Sequence, residues 1–484
     1  MSLLEDVVEL SKRRGFFWPA FSIYGGEAGF YDYAPLGVLL RDNIVRIWKE
    51  SYAREGAIFI DSPVIVPEPV FKASGHLQKF SDLAAECPSC RLRQKLENFL
   101  EANGFHETPK STEEAQSFLA EHVVKCPNCG TRITSAYDFN LMYRVDGFSS
   151  RQLYLRPETA QGIFVNFRLL NNVFRGKLPM AVAQYGKGFR NEISPRQALI
   201  RLREFYQGEV EVFVDPDKKF WKEFNSNRQI RMLPRTGKEI ETTVLAALDS
   251  GVITSNAMAY FIDKTYGILT SVGVDPARLR FRQQRADELA HYSFDSWDAE
   301  ALLDDSWVEI VGIADRNDLR NHQDSSGQKF SIKVGDREII PSVIEPSYGM
   351  DRITLTVLIH SLGVNSKGFK ILRLRDDVAP YHMAILPLVN RDGIDEYAKK
   401  LFSDMISRDP YIYYDDSGSI GKRYARQDEI GTPYCITVDY DTLKDYTVTV
   451  RFRDTGKQAR EDSRKIADRG LEVIRRIREE LISS

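Results

Sequence analysis

The chain has no run of 18 apolar residues, no internal repeat, no low-complexity tract, and only five cysteines in 484 residues. Lacking a long apolar run, it offers no candidate membrane-crossing helix. Its first residues, MSLLEDVVELSKRRGFFWPAF, lack the apolar core and small-residue cleavage site of a secretory signal, so a cytoplasmic chain without membrane attachment is expected. A large excess of charge of either sign is also lacking. A net charge of −3 does not announce a polyanion binder, nor exclude one, because phosphate contacts need local basic patches rather than a basic total.

What is present is an ordinary globular composition, 43% hydrophobic and 28% charged. The length exceeds one compact core, so two or three domains are expected. Four of the cysteines form two pairs, Cys87-Pro-Ser-Cys90 and Cys126-Pro-Asn-Cys129, with 35 residues between them. Two CxxC knuckles in a chain without a secretory signal offer four thiolates to one tetrahedral Zn²⁺. Two unrelated reduced pairs, or a disulfide framework, are the alternatives. Four protein ligands leave no open position, so the zinc would be structural.

Hydrophobic periodicity predicts a helix from Gly37 to about Glu55, a strand in AIFIDSPVIVP, an insert at about 83–135 around the cysteines, and strands at QLYL, MAVAQYGKG and YQGEVEVFV. Residues 217–305, mixed and rich in basic and aromatic residues, read as a second insertion. The polar LRLRDDVAP near 373–380 predicts a boundary between a domain at 1–372 and another at 376–484. The latter alternates strands and helices, with a final helix at 457–481, and reads as a small α/β domain.

The segment FRNEISPRQALIRLREF, 189–205, is both apolar and heavily charged. As a hairpin it would place Arg190 and Glu192 on one face of one strand, and Arg201 and Arg203 on one face of the other. Cross-strand ion pairs are one explanation, each worth about 0.2–1 kcal/mol. A site for a polyanion is the other, since arginine's planar fork suits phosphate and carboxylate oxygens. Two further clusters favour the second: LRPETAQG (155–162) after a strand, and IEPSYGMDR (344–352) leading into a helix.

Together these motifs resemble the class II aminoacyl-tRNA synthetases. FRNE, a loop and REF resemble motif 2; Gly349-Met350-Asp351-Arg352 resembles motif 3; the 37–55 helix and its strand to Pro67 resemble the dimer-forming motif 1. The ordered set RPETAQG, FRNEISPR, EVEVFVDP, ADR and IEPS is similar to the dimeric, archaeal and eukaryotic glycine–tRNA ligases. The resemblance implies an α/β (α+β) fold: an antiparallel-sheet catalytic domain with a zinc-knuckle insert, followed by an α/β anticodon-binding domain. It implies a homodimer using ATP with Mg²⁺, glycine and tRNA(Gly).

Carried over by motif, Arg190 would bridge the α-phosphate and the glycine carboxylate, and Glu192 would read the adenine amino group. Phe205 would stack on the base, and Arg201 and Arg352 would hold the γ-phosphate, Arg190 and Arg352 being the catalytic pair. Asn191, Leu202, Glu309 and Ile310 would complete the ATP site, Glu309 as a Mg²⁺ ligand. Glu158, Glu209, Glu345 and Ser347 would surround the substrate ammonium, with Arg93 a further glycine contact, although Gln94-Lys95-Leu96 after it depart from the family pattern. Lys218, Lys219 and Arg228, with Lys422, Arg423 and Arg426, are candidate tRNA contacts. A class II enzyme for proline or threonine, a synthetase-like protein without catalysis, and a zinc-stabilised tRNA-binding module are the other readings. RPETAQG with its glutamates opposes the first, and the presence of Arg190, Glu192 and Arg352 opposes the second.

Overall fold

The structure is a computed structural model and describes residues 2–483 apart from 108, 148–150, 196, 287, 290–292, 317 and 366–367. Nine strands build its main sheet: β1 (Ile58–Phe59), β2 (Met180–Phe189), β3 (Glu204–Val214), β4 (Ile230–Leu233), β5 (Ile240–Thr242), β6 (Leu279–Gln283), β7 (Ser293–Leu303), β8 (Ser306–Arg316) and β9 (Ser342–Gly349). Their spatial order is β5-β4-β6-β7-β8-β9-β3-β2-β1, antiparallel except for the β1–β2 and β4–β6 pairs.

Alternation along these strands assigns two faces. Val210, Val212, Ile313, Ile344 and Tyr348 point into the large core, against helices α1 (Pro35–Ala53), α2 (Asn256–Ser271) and α3 (Met350–Ser361). Helix α1 starts with proline at its first position and carries Leu36, Leu40, Ile44, Trp48 and Tyr52 at four-residue spacing, a single buried stripe. Each large side chain fully removed from water contributes about 1.5–3 kcal/mol. Three hydroxyls brought into this core satisfy one another: Tyr52 with Tyr348 at 2.9 Å, and Tyr348 with Thr265 at 2.8 Å. Gly208 on β3 leaves the room that the Trp48 ring and Met350 fill.

The opposite face carries Phe205, Gln207, Glu209, Glu345 and Ser347. Farther along it, Phe213 and Val343 form a second apolar cluster with helices Ala160–Phe164 and Phe167–Val173. One face of the sheet is therefore scaffold, and the other holds polar groups over a walled floor.

Residues 217–305 are not an appended module. Strands β4, β5, β6 and β7 within them extend the same sheet, and α2 fills the same core. The link is the tight β7–β8 turn, where Asp304 takes a positive φ of 51°. The cysteine-bearing insert does stand apart, with a three-stranded sheet and its own apolar cluster around Phe99, Leu100 and Leu119.

The C-terminal part has a five-stranded sheet and a separate core. The expected helix at 457–481 is instead an edge strand, Gln458–Asp462, followed by two helices parted at Gly470. The segment before this domain is packed rather than free: Leu374, Val378 and Ala379 lie in the large core, and buried Arg453 donates to the carbonyls of Gly431 and Leu374 at 2.6 and 2.7 Å. Among the described residues no helix is long and apolar enough to cross a membrane.

Candidate active site and metal centre

The charged segment lies mostly outside the strands. β2 ends at Phe189 and β3 begins at Glu204; between them the chain turns through a 3-10 helix at Ala198–Ile200, with Gln197 and Ala198 at φ of 67° and 52°. Strand parity therefore does not govern Arg190, Glu192, Arg201 and Arg203. Backbone bonds do: Arg190 N–H donates to the Arg203 carbonyl at 2.9 Å, and Glu192 N–H to the Arg190 carbonyl at 2.7 Å. Buried Ala198, Leu199 and Leu202 pin the loop to the core instead of leaving it free.

Part of the charge in this segment is spent on ion pairs, and part lines a cleft. Lys187 pairs with Glu204, and Arg203 pairs with Glu27 at 2.6 Å. Arg190, Glu192 and Arg201 form no ion pair among the described residues and line one cleft with Leu202, Phe205, Glu309, Ile310, Ser347 and Arg352. Asn191 does not line it; its backbone N–H donates to the Leu141 carbonyl at 2.8 Å.

Phe205 lies across β2 opposite Gly188, where an added Cβ would come within 2.6 Å of its ring. Gly188→Ala is therefore expected to displace that ring from its place in the cleft, a shift that a crystal structure of the variant would show. On the far wall, Arg352 donates to the carbonyls of Ile200 (3.0 Å) and Glu309 (2.7 Å) and pairs with the Glu309 carboxylate at 3.3 Å. Here the β7–β8 register jumps from Ala299/Val311 to Glu300/Glu309, leaving Ile310 as the extra residue of a bulge that re-aims Glu309. Asp298, unremarked in the sequence, is pushed up to about 7 by burial and then by the charge of Glu309. The Asp298 carboxylate is already engaged, accepting from Arg282 at 2.7 Å and Gln284 at 2.8 Å.

Behind Arg352, buried Asp351 accepts the Tyr206 amide and the Tyr33 hydroxyl, both at 2.5 Å. Burial raises its carboxyl to about 6. A raised carboxyl favours the folded state most at low pH, and that contribution disappears as pH climbs from the unfolded value near 4 through 6. Asp351→Asn should remove that slope, as denaturant midpoints at pH 4.5 and 7 would report.

The second half of the site is deeper. Glu209 accepts the Thr159 N–H at 2.6 Å, the Thr159 hydroxyl and the Ser347 hydroxyl at 2.7 Å. Glu158 accepts from Gln161 at 2.8 Å and faces Arg316 at 3.4 Å and His76 Nε2 at 3.5 Å; Glu345 pairs with Arg316. Glu158 is held well below the usual carboxylate range, although its burial alone would raise it, because Arg316 and His76 outweigh that burial. The three glutamates are thus not a bare cation trap. A fully buried arginine sits among them, carried in the sequence by the quoted ADR stretch but given no role there.

Arg156 serves as scaffold for this wall. Its guanidinium crosses the space over Gly186 and donates to the carbonyls of Lys187 and Ser62, both at 2.8 Å. Arg93 is not brought to the cleft: it is exposed and pairs with Glu86 at 2.5 Å within the cysteine insert. Of the basic patch residues, Arg423 is buried on the carbonyls of Pro387, Asp416 and Gly418, which makes it scaffold. Lys219 pairs with Asp315, Arg228 with Asp263 and Arg426 with Asp415, while Lys218 and Lys422 are exposed.

The four cysteine sulfurs lie within 4.8 Å of one another, with Cys87–Cys129 at 3.5 Å and Cys90–Cys126 at 3.6 Å. A tetrahedral zinc with bonds of about 2.3 Å calls for sulfur–sulfur edges of about 3.8 Å, so the donor set fits. The two knuckles repeat each other: Arg91 and Gly130, each four residues past the first cysteine, take φ of 61° and 74° and donate back to its carbonyl. The Cys129 thiol is lowered to about 6 by hydrogen bonds from Thr131, whereas burial raises Cys126 to about 11.

Residues 143–247 match the tRNA synthetase class II core domain family (G, H, P, S and T), and residues 382–469 match the anticodon binding domain family. The chain is 40% identical to a glycine–tRNA ligase of Methanothrix thermoacetophila, over 98% of this chain and 97% of that one. It is 37% identical to that of Pyrococcus horikoshii over 94% and 96%, and 38% identical to that of Archaeoglobus fulgidus over 94% of each. In fold it is similar to a Giardia lamblia prolyl-tRNA synthetase solved in complex with prolyl-adenylate. The TM-score is 0.61 at 15% identity, covering 96% of this chain and 75% of that one. A class II core, an anticodon-binding domain and identities of this size along almost the whole length leave one assignment: the chain belongs to the glycine–tRNA ligase family of class II aminoacyl-tRNA synthetases.

Proposed function

We propose that the chain activates glycine with ATP in the cleft between the 189–205 loop and α3, then transfers it to the terminal ribose of tRNA(Gly). The observation that carries this reading is the set Arg190, Glu192 and Arg201, without ion pairs among the described residues, lining one cleft with Ser347, whose hydroxyl donates to Glu209 of the buried cluster. In-line attack of the glycine carboxylate on the α-phosphorus needs no enzyme nucleophile. It needs the two anions held together and the developing charge neutralised.

Arg190 would do that where the carboxylate meets the α-phosphate. Phe205 would stack on adenine, Glu192 would accept from its amino group, and Arg201 and Arg352 would hold the departing pyrophosphate. Glu309 would hold Mg²⁺ arriving with ATP, which when bound spreads phosphate charge. Glu209, Glu158 and Ser347 would bind the ammonium group. These hydrogen-bonded side chains would also wall the space beside the α-carbon, so alanine would be excluded by clash, where a forgiving pocket discriminates a methyl by only about 1–3 kcal/mol.

Four further readings belong to the same proposal: a structural zinc on Cys87, Cys90, Cys126 and Cys129; tRNA(Gly) read partly by the C-terminal domain; a homodimer; and a cytoplasmic location. Exposed Phe59, Val64 and Ile65, at and just beyond the sheet edge that β1 forms, are apolar surface a second copy would cover. Purified protein should hold about one zinc per chain by elemental analysis. Chelation should open the insert to protease between 87 and 130 while the main unfolding transition persists, because the insert's core is its own. The function itself is tested by ATP–pyrophosphate exchange across the standard amino acids. Glycine alone should support it; exchange with another amino acid, or none with tRNA binding intact, would refute the reading.

A further inference from the structure

We infer that Phe80 and His76, at the neck of the cysteine-bearing insert, are positioning residues for the two halves of the active site. Phe80 fixes Arg190, and His76 fixes Glu158. The inference rests on the proposed roles of Arg190 and Glu158 and adds what holds those side chains in place.

The neck is a closed unit. The insert leaves through Ser81 and returns at Asn140, which pair across its sheet. Leu141 N–H donates to the Phe80 carbonyl at 3.0 Å, and the Asn140 amide donates to the carbonyls of His76 and Leu77 at 3.3 and 3.1 Å. The His76 and Phe80 rings meet edge to face at 5.4 Å, and His76 Nδ1 lies 2.7 Å from the Ser74 hydroxyl. From this unit two contacts reach the site. The Phe80 ring lies 5.3 Å from the Arg190 guanidinium, which has the Phe205 ring at 5.2 Å as its other aromatic contact. His76 Nε2 lies 3.5 Å from the Glu158 carboxylate.

A guanidinium between two rings keeps its in-plane N–H groups for a ligand, and one of them, Nε–H, is already spent on the Pro157 carbonyl at 3.2 Å. Its two remaining nitrogens make no ion pair among the described residues, and the side chain lines the cleft. Removing one ring frees rotamers that ATP must order again. The Leu141 carbonyl, which receives Asn191 N–H, ties the same neck to the residue after Arg190.

The test is glycine-dependent exchange by the full-length protein. Phe80→Ala should lower kcat about tenfold, because Arg190 meets both substrates, and be restored by Phe80→Tyr. His76→Ala should instead raise the KM for glycine about tenfold with the KM for ATP little changed. Wild-type kinetics in both variants, or a Phe80→Ala loss that tyrosine does not restore beside a His76→Ala loss shared equally by both substrates, would overturn the inference. Arg190→Ala measured alongside separates the two levels: normal exchange there would sink the role of Arg190 itself, whereas a dead Arg190→Ala beside a normal Phe80→Ala would sink the neck alone.

Discussion

Arg190→Ala is expected to lower glycine-dependent ATP–pyrophosphate exchange by about 10²–10³-fold in kcat, the usual cost of deleting one donor aimed at developing negative charge. Its effect on stability should be small. The side chain makes one hydrogen bond to protein, to the Pro157 carbonyl, two ring contacts and no ion pair among the described residues, so about 1–2 kcal/mol is at stake, little for a chain of this size. Large catalytic loss with an almost unmoved melting curve is the signature of a group waiting for substrate. Arg190→Lys should recover only part of the activity, since an ammonium keeps the charge but loses the planar fork that two rings can flank. If activity and stability fell together, the loop would be scaffold.

Arg316→Met should reverse that pattern. Removing this arginine leaves Glu158 and Glu345 buried without the cation they share, at a cost of about 3–5 kcal/mol near neutral pH. The pH dependence then changes sign. In the native chain the Glu158 carboxyl lies below its unfolded value, so its contribution is complete above about pH 4.3 and is lost as pH falls further. In the variant, burial without Arg316 pushes the same carboxyl up, and stability should fall as pH rises from about 4 toward 7. Denaturant unfolding at pH 5 and pH 7 reads this directly: the variant should be more stable at pH 5. Glycine-dependent exchange should be lost in either case, because the ammonium site loses its shape.

These two arginines also mark how far the sequence could be read. Arg190, Glu192 and Phe205 stand in one short charged pattern and Arg352 in another, which residue type and spacing marked as a candidate polyanion site; Glu309 and the individual roles came only with the family resemblance. Arg316 stands in an equally short pattern, but its meaning depends on Glu158 and Glu345, 158 and 29 residues away along the chain, and no local rule links them. The loop at 190–203 shows a different limit. Its apolar residues looked like strand alternation, yet Leu199 and Leu202 anchor a turn, because positive φ at Gln197 and Ala198 breaks the strand.

Residues 217–305 looked foreign because basic and aromatic residues hide the alternation of β6 and β7. Their membership of the main sheet is set by pairing with β8, a long-range fact. Arg423 looked like a tRNA contact because exposed and buried arginines are written with the same letter; three carbonyls decide its case. The cysteines were legible at once, since thiolates at this spacing have few other uses, and their sulfurs do converge.

The most direct measurement is a crystal structure with a non-hydrolysable glycyl-adenylate analogue. The account predicts adenine on Phe205, the phosphate mimic against Arg190, and the ammonium between Glu209, Glu158 and Ser347. An analogue bound elsewhere, or with its amino group turned away from those carboxylates, would contradict it.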